Sequence, residues 1–176
     1  MIAEIGRFAL ILALVIALLQ AVLPLIGAQR NDQRLMAFAS SAALAQGAFV
    51  ALSFACLVQS FVVSDFSLAV VAANSHTEKP LLYRISGTWG NHEGSMLLWV
   101  LILALFGAGI ALSSSIPRVL KARTLAVQAM IGAGFLAFSL FTSDPFARLS
   151  PAPVEGEGLN PLLQDPGLAF HPPFLY

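Results

Sequence analysis

Four apolar runs, residues 5–26, 35–63, 96–112 and 125–141, leave this chain little choice of solvent. A helix needs roughly 17 to 25 apolar residues to cross a bilayer, because hydrocarbon offers no partner to an unpaired backbone N–H or C=O. With their flanks, the runs predict four transmembrane helices over about 5–27, 36–63, 94–113 and 121–142, the second long enough to tilt. Only 10% of the residues are charged and mean hydropathy is +0.84, whereas soluble domains carry about 25% charged residues. The expected fold is therefore an all-α integral membrane protein, with residues 1–176 forming a single membrane domain. Arg7 ahead of an apolar stretch imitates a signal peptide, but the apolar part runs for about twenty residues, longer than a usual h-region. Gly27-Ala28-Gln29 is also a poor cleavage site, so the first helix is read as retained.

Orientation follows from where the basic residues fall. The short loops 28–34 and 113–124 hold five of the nine: Arg30, Arg34, Arg118, Lys121 and Arg123. The long segments 64–95 and 142–176 hold only Lys79, Arg84 and Arg148, although together they are more than three times longer. Short loops are thus expected in the cytoplasm, with the N-terminus and the segments 64–95 and 142–172 on the outer side, the periplasm of a Gram-negative bacterium. Eight of the nine acidic residues and all three histidines fall on that side too.

Several function classes drop out. Net charge is zero and the largest basic group is Arg118, Lys121 and Arg123, so no nucleic-acid footprint exists. Cys56 is the single cysteine and lies in an apolar run, which excludes an intrachain disulfide and a CxxC site; it reads as a small apolar residue in a helix. HExxH, a Ser/His/Asp triad and paired Cys/His ligand spacing are all missing, so hydrolytic and zinc chemistry have no anchor. A transporter would place ionisable groups near midplane on broken helices, and Arg7, Gln20 and Gln46 are too few for that.

The outer segments carry the chemistry. Trp89-Gly90-Asn91-His92-Glu93-Gly94-Ser95 forms a polar, glycine-rich cluster directly before a helix expected to begin near Met96. Trp89 alone reads as an interfacial belt residue. The glycines allow close approach of a backbone or a flat ligand, and Glu93 and Ser95 can cap the helix and complement its dipole. His76 stands in a hydrophilic loop and reads as solvent-exposed, while Arg84 suits either an interfacial anchor or a carboxylate partner. The Pro/Gly-rich stretch 151–158 reads as an extended outer loop.

Near the end, Pro172 and Pro173 push His171 toward an extended conformation and fit a first helical turn, predicting a fifth helix starting near 172. At that place the dipole would favour the neutral imidazole, and Leu168, Ala169, Phe170 and Phe174 would supply an apolar shelf. A lone interfacial histidine is more often structural than ligating, and both readings stand on the residues alone.

Residues 2–10, the run Trp89-Gly-Asn-His-Glu-Gly-Ser-Met-Leu-Leu-Trp99, and Leu159-Asn-Pro-Leu-Leu-Gln-Asp-Pro-Gly-Leu-Ala-Phe-His-Pro-Pro173 together resemble the CcmF family of bacterial cytochrome c haem lyases, in order and over the full length. The likeness is to the N-terminal quarter or so of that family. It implies a multi-pass inner-membrane protein that takes haem b, as substrate, from the haem chaperone CcmE. The haem then joins, through thioether bonds, the CxxCH cysteines of apocytochrome c presented by CcmH-type partners. By resemblance, His171 matches one of the two periplasmic axial ligands to the substrate haem iron. Trp89, Gly90, Glu93 and Gly94 match the family's WGxxEGS signature, for which the resemblance brings no assigned role. The family's tryptophan-rich motif, second periplasmic ligand and the two membrane histidines of its structural haem would lie beyond residue 176. The chain is therefore read as a fragment, a split gene product or a truncated sequence, lacking a complete active site. The alternative from another class is a small structural membrane subunit without catalysis.

Overall fold

The computed structural model describes residues 1–158 and 164–175, which form seven helices. Four are long enough to cross a membrane: α1 (Ile2–Arg30), α2 (Gln33–Val62), α5 (His92–Leu112) and α6 (Arg118–Phe141). Three short ones accompany them: α3 (Ala69–Asn74), α4 (Leu81–Gly87) and α7 (Pro166–Leu175). No strand ladder occurs among the described residues; Leu68 and Arg148 form an isolated antiparallel bridge. The four long helices contain the predicted cores of the spans and run a few residues past most of their expected ends.

The α1–α2 turn is as short as a helical hairpin can be made. Asn31 takes the left-handed conformation (φ 54°) that ends α1, and the Asp32 carboxylate accepts the Arg34 and Leu35 N–H groups at 2.8 and 3.3 Å to start α2. Gly27 makes the crossing possible, since a Cβ there would stand 2.7 Å from that of Leu35. α2 and α6 form a central pair, on which α1 packs from one side and α5 from the other. The contacts are made by small residues, such as Ala13 and Ala17 on α1, Ala39 and Ala43 on α2, and Ala126 and Ala129 on α6. Lipid tails are as apolar as leucine, so helices associate through close packing of this kind and through hydrogen bonds between them.

Polar side chains inside the bundle supply such bonds. The Gln20 amide donates to the Leu125 carbonyl at 3.0 Å, and the Gln128 amide donates to the Leu103 carbonyl. At one end, Lys121 donates to the carbonyls of Ala111 and Ser113 at the C-terminus of α5, and Arg118 donates to Gln33 Oε1 at 3.0 Å.

The other end is loop-rich. Residues 64–79 and 143–158 are zipped together by Ala69 N–H to the Ala147 carbonyl and Leu149 N–H to the Ser67 carbonyl, both 2.9 Å, and by Glu157 N–H to the Ala72 carbonyl at 2.8 Å. Phe66, Leu68, Val71 and Phe146 fill the space beneath. Arg7 on α1 pairs with Asp144 at 3.0 Å, and Arg148 with Glu4, so ion pairs hold this cap onto α1.

At α5 and α7 the residues that open the helix are not the expected ones. α5 begins at His92 because Asn91 caps it, its Oδ1 accepting the Gly94 N–H at 2.7 Å; Ser95, expected as a cap, instead donates to the Trp89 carbonyl at 2.7 Å. The fifth helix begins at Pro166 and not near 172, its first turn closed by Ala169 N–H to the Asp165 carbonyl at 2.8 Å. Proline suits that opening position because its missing N–H would be an orphan there anyway.

Candidate functional site

With α7 starting at Pro166, His171 is its sixth residue and lies beyond the first turn, where the dipole acts. The helix N-terminus expected at His171 therefore lies elsewhere, at Pro166. The apolar surroundings divide by helical spacing. Ala169 is buried and Pro173 half-buried, four residues apart on the inward side. Phe170 and Phe174, also four apart, are 48% and 87% exposed, and the exposed His171 stands beside them. The expected shelf thus consists of Phe170 and Phe174, with Ala169 turned inward; the Leu168 side chain and residues 159–163 of the motif lie outside the described residues. Among the described residues, nothing hydrogen-bonds or ion-pairs with the His171 ring.

The signature before α5 splits between two neighbours. Trp89, half-buried in the turn after α4, donates its indole N–H to the Ala169 carbonyl at 2.7 Å, while α7 packs on α4. Gly90 closes the turn by donating to the Ser86 carbonyl at 3.0 Å. Gly94 is buried where a Cβ would overlap the Thr88 carbonyl, so glycine is required by the close approach of the two backbone segments. Glu93 is half-buried in the first turn of α5, on the favourable side of its dipole. His92 points the other way, its ring edge-on to Phe138 at 6.0 Å, at the head of an open groove of about 460 Å³ lined by Met96, Ile131, Gly134, Phe135 and Phe138. Trp89 and His171 are therefore brought to neighbouring elements, whereas His92 is turned to α6.

The remaining outer candidates have local partners. Arg84 donates to the Val62 carbonyl at 3.0 Å, bonding the end of α2. His76 is half-buried, not open to solvent as expected: its Nδ1 accepts the Glu78 N–H at 3.2 Å and lies 4.0 Å from Glu155. The Thr77 hydroxyl donates to Glu155 at 2.6 Å and, with the Thr77 and Gly156 backbone N–H groups and the nearby His76, holds that carboxyl below its ordinary range. Sequence reading missed Gln128 and the capping role of Asn91. Both were visible, one as a polar residue inside an apolar run and the other as a preferred N-cap type three residues before Gly94.

The family model for the cytochrome c assembly protein matches residues 89–176, half of the chain, beginning at Trp89 and taking in α5, α6 and α7. The chain belongs to the cytochrome c assembly protein family. Among curated relatives, it is 63% identical over 177 residues to the cytochrome c-type biogenesis protein ccl1 of Rhodobacter capsulatus, covering all of this chain and 27% of that protein. The CcmF protein of Escherichia coli is 52% identical over 178 residues, again across all of this chain and 28% of the relative. A solved cytochrome c haem lyase CcmF superposes with a TM-score of 0.78 at 29% identity, covering 83% of this chain and 25% of that one. The chain thus spans about a quarter of the length of these assembly-family proteins. Together with its four apolar helices, this membership makes it a multi-pass membrane protein with the CcmF membrane fold.

Proposed function

We propose that this chain serves cytochrome c maturation by presenting His171 to substrate haem at the periplasmic face of the bacterial inner membrane. The observation that carries the reading is the outward side of α7, where an imidazole without a partner among the described residues stands beside two exposed phenylalanine rings. A porphyrin is flat and apolar with a metal at its centre, and this combination offers ring contact together with one axial nitrogen. Haem b would arrive from CcmE and leave on apocytochrome c, each CxxCH thiol adding across a haem vinyl group while CcmH-type partners hold the polypeptide. Within this chain the contribution is binding and orientation. His76 is engaged with Glu78 and Glu155 and His92 faces α6, so a second axial ligand would come from outside this chain.

Titrating haem into the lipid-reconstituted chain and its His171→Ala variant tests this. The variant should lose the histidine-ligated Soret and Q-band pattern and bind roughly tenfold or more weakly, with free imidazole restoring the spectrum. Identical spectra and affinities in the two proteins would remove His171 from haem handling and leave the chain as a structural membrane subunit.

A further inference from the structure

In a helix the carbonyl of residue i accepts the N–H of residue i+4. The Ala169 carbonyl should therefore be served by residue 173, which is a proline and has no N–H to give. A carbonyl buried with its residue and left without a donor is unfavourable, and Ala169 is only 4% exposed. In this chain the missing donor comes from elsewhere, since the Trp89 indole N–H reaches that same carbonyl at 2.7 Å across 80 residues of sequence. Trp89 is itself fixed at both backbone ends, its carbonyl accepting the Ser95 hydroxyl at 2.7 Å and its N–H donating to the Ser86 carbonyl at 3.2 Å.

We infer that Trp89 is a positioning residue for His171: the proline at 173 opens one carbonyl of α7, and the Trp89 indole fills it and so seats the helix that carries the histidine. The role rests on the haem reading for its purpose, but not for its mechanism. α7 packs on α4, and Trp89 lies in the turn between α4 and α5 that Asn91 ties down, so the tether joins α7 to that turn. The imidazole lies two positions beyond the anchored carbonyl, with only Phe170 between, a distance over which a helix turns rigidly. Loss of the bond would let the His171 ring and the Phe170 and Phe174 rings rotate together.

The test uses the reconstituted full chain with Trp89→Phe, which keeps an aromatic ring and removes the donor, alone and combined with Pro173→Ala. Hydrogen exchange is read without haem on the amides of residues 169–171. Trp89→Phe should speed their exchange by about fivefold, the effect of one hydrogen bond of ordinary strength, without changing the amides of α1, α2, α5 and α6. Adding Pro173→Ala supplies a donor within the helix and should return the exchange toward the wild-type rate. Unchanged exchange in Trp89→Phe overturns the tether whatever haem does. In parallel, haem titration of Trp89→Phe should show a weaker, altered Soret band relative to wild type. If α7 loosens and the band is the same as wild type while His171→Ala changes it, Trp89 does not position the ligand. If His171→Ala itself leaves the haem spectrum unaltered, the haem reading fails, while the exchange data still decide whether Trp89 and the Ala169 carbonyl hold α7.

Discussion

At the residue scale, position 94 shows how little room the signature leaves. The buried Gly94 faces the Thr88 carbonyl so closely that one methyl group cannot be added without moving a backbone segment. Gly94→Ala should therefore destabilise the fold by about 1–3 kcal/mol, the usual cost of overpacking a well-filled site. The shift in thermal midpoint of the detergent-solubilised protein measures this, and an unshifted midpoint would refute the packing argument. Glycine's capacity for close approach was readable in the sequence. That the approaching group is the carbonyl of Thr88, and not a flat ligand, depends on the turn that Asn91 ties down through its bonds to Gly87, Thr88 and Gly94. Arg84 is a similar case: its charge and interfacial position were legible, but its partner, the Val62 carbonyl at the end of α2, was set by how α4 folds back.

At the element scale, the helices are held by polar bonds placed among small residues. Gln20 is almost wholly buried on α1 and its amide reaches the backbone of α6 at Leu125. Interhelical hydrogen bonds within membranes average about 0.6 kcal/mol and reach roughly 1.7, and truncating a buried side chain also leaves a void. Gln20→Ala should thus cost about 1–2 kcal/mol, readable as weakened resistance to unfolding in mixed micelles. A cost near zero would mean that α1 is held by its small-residue face alone. The element that departs furthest from sequence reading is α7. Pro172 and Pro173 suggested a helix start, since proline is best tolerated there, yet the helix begins at Pro166 and runs through both. A helix can continue past such a pair when the carbonyls they orphan find other donors, and the indole of Trp89 is one.

At the scale of the whole molecule, the two ends of the bundle differ in charge and in architecture. Arg30, Arg34, Arg118 and Arg123 are exposed at the end with short connections, while the latched segments 64–79 and 143–158 cover the other. By the positive-inside rule the first end is expected to face the cytoplasm, and labelling tests it. In a Cys56→Ala background, a membrane-impermeant maleimide added to spheroplasts should label Val154→Cys, at a site 98% exposed in the loop-rich end, and spare Ser114→Cys in the short α5–α6 connection. The reverse pattern would invert the orientation and remove His171 from the side proposed for haem binding.

Hydropathy, length and basic-residue spacing act on each segment separately, because the bilayer is a solvent that every helix meets on its own terms. For that reason the number of spans and their cores were contained in the order of the amino acids, as were the motif residues Trp89 to Gly94 and His171, whereas the placing of His92 and His171 on helices was not. What the chain order could not supply was pairing at a distance. The Trp89 indole and the Ala169 carbonyl are 80 residues apart, and Gln20 and Leu125 are 105 apart. Such bonds exist only after α2 and α6 have brought α1, α5 and the loop-rich end into register, so it is the packing of the bundle that makes partners of a tryptophan in one turn and a carbonyl on α7.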